Sequence, residues 1–101
     1  MGVLLGEGRT YTRVTVEGGT TRVFYYSTNV VTFDENTITL NTGGRRSAAI
    51  RAHMNQVAFQ YALSFYVDQE GVDWFVRTWA GTVPFKKATL ILDRATMAIP
   101  A

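Results

Sequence analysis

The sequence predicts an α+β fold: an antiparallel sheet of about six to seven strands, in meanders and hairpins, with one α-helix packed on it. Three observations carry this. From Arg13 to Asn41 apolar and polar residues alternate, which is the period of a strand with one buried face. From Ser47 the apolar residues fall at helical spacing, the only strong helical pattern in the chain. From Phe65 the alternation returns and runs to Asp93.

Each element has a local reason. Val14 and Val16 alternate with Arg13, Thr15 and Glu17, Gly18-Gly19 supplies the positive φ of a tight turn, and Arg22 to Ser27 returns as a strand. Val31 and Phe33 share a face, Asp34-Glu35-Asn36 turns the chain, and Ile38 and Leu40 then point inward. The helix is predicted over about 47–63, with Ile50, Met54, Val57, Ala58 and Tyr61 on its apolar stripe. Ala48, Ala49, Ala52, Ala58 and Ala62 raise its propensity, and Ser47 suits the N-cap. Phe65 and Val67 run inward, Asp68 to Gly71 turns, and Trp74, Val76 and Thr78 return. Ala80-Gly81 makes a further turn, Pro84 marks an edge or a strand end, and Leu90 and Leu92 share one side of a last strand. The chain reads as one domain over 1–101, with 1–9 and 95–101 loose.

Composition narrows the function classes. The chain is 47% apolar, 13% aromatic and 18% charged, enough to bury a core and to leave apolar surface for a homo-oligomer. A net charge of +2 is slight for a nucleic-acid binder. With no cysteine and one histidine, thiolate chemistry, disulfides and a transition-metal site are not expected. Neither the GxxxxGK[ST] loop nor the GxGxxG fingerprint is present, so no cofactor is predicted. No apolar run reaches the length of a membrane span and the start lacks a basic leader, so the expectation is a cytoplasmic protein that does not enter membranes.

One stretch points to a ligand. Gly43-Gly44-Arg45-Arg46-Ser47 precedes the helix. Glycines there let amides converge into a nest, the helix dipole makes that end partly positive, and arginine presents paired donors to phosphate. Arg51, about a turn and a half further on, is placed to reach the same anion or, alternatively, to solvate the helix. The alternative is that the glycines only turn the chain and the arginines are solvated. Tyr26, Tyr66, Phe75 and Trp79 are the rings expected to be free for stacking on a base, against the alternative of packing. His53 has no acid or nucleophile arranged about it, and Asp68, Glu70 and Asp73 lack the ligand ladder of a calcium loop. No catalytic constellation is present, so a non-enzymatic protein is expected.

From Ile38 onwards the chain resembles a family of short, mostly uncharacterised phage and prophage proteins. The shared pattern is Leu40, Thr42, Gly43, Gly44, then Met54 and Asn55, then Phe65, Val67 and Gln69, then Asp73, Trp74, Phe75 and Val76, and finally Pro84 and Phe85. Where the family carries a tryptophan and a threonine-rich, lysine-containing helix start, this chain has Arg45-Arg46-Ser47-Ala48-Ala49-Ile50-Arg51. The resemblance implies a viral accessory protein in the host cytoplasm that acts by binding. The first expectation is a nucleotide-like, phosphate-bearing ligand, sequestered as counter-defence against a host immune signal. The alternatives are single-stranded nucleic acid, and a host protein that is inhibited or assembled.

Overall fold

The computed structural model describes residues 12–100. Within them eight strands form two antiparallel sheets with one helix. The first sheet takes β1 (Thr12–Glu17), β2 (Thr20–Tyr25), β3 (Thr28–Phe33) and β4 (Thr37–Asn41) as a meander. After α1 (Ala48–Gln60) come β5 (Phe65–Glu70), β6 (Asp73–Thr78) and β7 (Gly81–Phe85), which make the second sheet. β8 (Thr89–Asp93) then returns to pair with β4, giving the order β1-β2-β3-β4-β8. The fold class is as the sequence indicates. The single sheet becomes two, and the strands number eight.

The register places the predicted inward residues together. Val23 lies opposite Val31, Val31 opposite Leu40, Ile38 opposite Leu92, and Leu40 opposite Leu90. All belong to one cluster with Ile50, Met54 and Val57 of the helix and Phe65, Val67, Trp74, Val76 and Phe85 of the second sheet. A shift between Val23 and Phe24 leaves Val30 as an extra residue in β3, yet its side chain is also buried. The other face of the five-stranded sheet carries Arg22, Phe24, Thr32, Thr39 and Ile91, none of them fully buried.

Why two sheets? β5 never joins the first sheet because α1 occupies its outer edge. Asn55 donates from Nδ2 to the Val67 carbonyl (3.0 Å), and its Oδ1 accepts from the Val67 amide (2.7 Å). One side chain thus supplies both bonds that a neighbouring strand would have supplied.

Three local readings are corrected. The helix ends at Gln60, not 63, because Ala62 adopts a left-handed conformation (φ 54°). There the Leu63 amide donates to the Ala58 carbonyl (2.9 Å) and the Ala62 amide to Phe59 (3.4 Å), a Schellman closure formed without glycine. Val14 and Val16 are 39% and 70% exposed, since α1 packs over β2 and β3 and leaves most of β1 uncovered. The stretch expected to be loose from 95 is tied down: Met97 is buried, and the Asp93 amide donates to the Ala98 carbonyl at 2.8 Å. Residues 1–9 and Ala101 lie outside the described residues.

Candidate functional site

The junction of β4 and α1 shows what the double glycine does. Gly43 and Gly44 have φ of 67° and 85°, so both sit in the left-handed region that favours glycine. This winding brings the chain's own acceptors to its own amides. The Gly43 amide donates to Asn41 Oδ1 (2.9 Å), the Gly44 amide to Thr42 Oγ1 (3.2 Å), and the Arg45 amide to the Thr42 carbonyl (3.1 Å). Ser47 caps the helix, its Oγ accepting from the Ile50 amide at 3.1 Å. The nest is therefore filled from within. Gly43 is also held by packing: a Cβ there would lie 2.9 Å from Thr28 Cγ2.

The three arginines differ in their surroundings. Arg45 is exposed. Arg46 lies over the Trp74 ring, its guanidinium carbon 5.9 Å from the centroid. Arg51 is half-buried on the helix, with Nε buried and unbonded among the described residues. Its charge adds to a lowering of the Asp68 carboxyl whose largest cause is the hydrogen bond from Arg77 Nε (2.8 Å). Arg46 and Arg51 thus act on different neighbours, Trp74 and Asp68.

The four rings separate in the same way. Tyr26, 66% exposed, sits in the β2–β3 turn two residues before Thr28, on the side of Gly43. It meets Tyr25 edge-on, with centroids 4.8 Å apart. Tyr66 and Phe75 lie on the outer face of the second sheet, where the register sets Tyr66 opposite Arg77 and Phe75 opposite Pro84. Trp79, 69% exposed, is in the β6–β7 turn, at the far end of β6 from the Trp74 that Arg46 covers. So Thr28, two residues beyond Tyr26, is what touches the glycine turn, while Tyr66, Phe75 and Trp79 belong to the second sheet and its turns.

His53 faces the sheet more than the sequence suggests. It packs on Tyr25 with ring centroids 4.2 Å apart, Nδ1 is 3.2 Å from the Ala49 carbonyl, and Nε2 is 3.2 Å from Thr12 Oγ1. With Nδ1–H donating to Ala49, Nε2 is left to accept from the Thr12 hydroxyl, which is the neutral tautomer. Loss of hydration holds its pKa below the ordinary histidine value, against the favourable Ala49 bond. Among the described residues no group of three or more His, Asp and Glu side chains is placed to hold a metal. No described helix is long and apolar enough to cross a membrane.

The feature that sequence reasoning missed lies along β8. A groove of about 540 Å³ is lined by Pro84, Lys86, Lys87, Thr89, Leu90, Ile91 and Ile99. Leu90 belongs to the inner face of β8, and Thr89 and Ile91 to the outer, so the groove follows the edge of the strand. Among the described residues that edge carries no strand partner beyond the single bridge from Asp93 to Ala98. Ile91 was the available signal: an apolar residue, 44% exposed, on the polar side of an alternating strand. Comparison with protein-family models, curated proteins and solved structures gave no match.

Proposed function

We propose that the protein is a non-enzymatic interaction module that holds a partner polypeptide along the edge of β8. The observation that carries this is the groove itself, an apolar trough beside unpaired backbone at the end of a five-stranded sheet. The phage-protein resemblance agrees with a chain that works by binding, as an inhibitor of a host enzyme or as part of an assembly. The test is amide chemical-shift mapping of the whole chain with extended apolar peptides. Shifts gathered at Lys87, Thr89, Leu90 and Ile91 are expected, and Ile91→Lys should erase them. Shifts spread evenly over the surface, or confined to the start of α1, would sink the reading.

A second reading keeps a phosphate-bearing small ligand, a nucleotide held as counter-defence, at the start of α1. It is favoured by one observation: Arg45 is exposed beside the first turn of the helix, with Tyr26 on the neighbouring turn. Binding here would require Arg46 to leave Trp74. A panel of mono-, di- and cyclic nucleotides should then raise the melting temperature, and Arg45→Ala with Arg46→Ala should cancel the rise. No shift with any of them ends this reading.

A further inference from the structure

The edge of β8 also specifies what kind of polypeptide fits, and the inference that follows rests on the reading of the groove as a polypeptide-binding edge. In an antiparallel pair, outward backbone groups recur at every second residue. The Asp93 amide points away from β4, because it donates to Ala98. The Ile91 and Thr89 backbone groups therefore point the same way. The chain's own return segment does not reach them as a strand. Ala98 lies opposite Asp93, so the next rung would set Pro100 opposite Ile91. Proline has no N–H to give that rung, and the pairing stops. What remains is a short run of edge from Ile91 to Thr89 that no described residue pairs with, beside apolar lining from Pro84, Leu90 and Ile99.

Direction follows from charge. Of the lining residues, Ile99 follows Ala98 at the end where β8 finishes, and Lys86 and Lys87 precede β8 at the other. Among the described residues the ion pairs are those of Arg77 with Asp68 and Glu70, so neither lysine is paired there. A strand that continues the antiparallel sense set by Ala98 runs against β8 and finishes at the lysines. Its C-terminal end then meets two ammonium groups, whereas a parallel strand would bring its N-terminal amine to them.

We propose that this edge captures the C-terminal tail of a partner polypeptide. The tail adds to β8 as a short antiparallel strand, seats an apolar side chain in the trough, and sets its terminal carboxylate against Lys86 and Lys87. The free acid is required: the ammonium groups recognise the chain end, while the outward groups of Ile91 and Thr89 recognise only extended backbone.

The experiment uses the full chain and N-acetylated five-residue peptides of alternating Thr and Val ending in Ile. They are made as the free acid, as the amide, and as a longer form with an internal Glu followed by a Gly amide. Binding is read by fluorescence polarisation and by amide shifts. The free acid should bind about tenfold more tightly than either other form, as removal of a charge-assisted contact implies. Its shifts should centre on Thr89 to Ile91, and raised salt should weaken it. Lys86→Gln with Lys87→Gln should leave the unliganded spectrum intact elsewhere and make acid and amide equal. Equal binding of acid and amide to the native chain, with shifts still at the β8 edge, overturns carboxylate capture and leaves the polypeptide-binding reading standing. Equal binding of the internal-Glu peptide overturns it likewise. An absence of shifts at Thr89 to Ile91 with every peptide, or concentration-dependent shifts there without peptide, overturns both and assigns the edge to nothing or to a second copy.

Discussion

β5 and β8 are each the last strand of a sheet, and each ends its sheet differently. The outward groups of Val67 on β5 are taken by one asparagine of the helix. Among the described residues the outward groups of β8 are taken only at Asp93, before a proline ends the pairing. The first edge is closed by a side chain with a donor and an acceptor at fixed spacing. The second is flanked by apolar side chains and two lysines. Closure of one edge ties the helix to the second sheet, and openness of the other is what the proposed function rests on. An edge strand is thus either a structural seam or a recognition surface, according to what the sequence sets beside it.

The comparison can be broken most forcefully at Asn55. Asn55→Ala strips both partners from Val67, whose side chain is fully buried, and should lower stability by about 2–4 kcal/mol. Urea denaturation measures it, and a loss near zero would mean that the β5 edge is not closed by this residue. Gly43→Ala should cost about 2–3 kcal/mol, since the new methyl meets Thr28 and the left-handed φ is strained as well. Gly44→Ala, with open space around it, should cost only about 1 kcal/mol, so the difference between the two isolates the Thr28 contact. Ile91→Lys, on the open edge, should change stability by less than about 0.5 kcal/mol while removing peptide binding.

Two further effects sharpen the picture around the helix. Ala62→Gly should raise stability by about 0.5–1 kcal/mol, because glycine suits the left-handed closure that alanine now fills. His53 gives a pH signature. Its folded pKa lies below 6.5, so the unfolded chain binds the proton first, and stability should fall as pH drops from about 6.5 towards the folded value. His53→Gln should flatten that slope. A native slope of the opposite sign would mean that the charged form is the one preferred in the folded chain.

What the sequence disclosed was the part set by local periodicity. Period-2 alternation found the strands, the change of period found α1, and Ser47 was legible as its cap. The division into two sheets was not legible, because it depends on Asn55 reaching Val67 across a turn. Ala62 read as a helix former for the same reason: propensity does not show that the backbone reverses hand there. Gly43-Gly44 was read as a nest open to an anion, and the presence of Asn41 and Thr42 just upstream is what fills it. Most of the residues that carry the phage-protein pattern have structural work. Leu40, Met54, Phe65, Val67, Trp74, Val76 and Phe85 are core, Thr42 and Asn55 satisfy backbone, and Gly43 makes a close approach. The lysines beside β8 stood outside the pattern and carried no signal until Ile99 and Pro84 were brought beside them.

The pairing of β8 with β4 has a consequence for how the molecule is made. Neighbouring strands of the meander can zip as soon as each hairpin is complete, but β8 must find β4 across the whole intervening helix and second sheet. Such a distant contact closes late. During synthesis the outer edge of β8 therefore takes shape only when that strand has cleared the ribosome, after the helix and the second sheet.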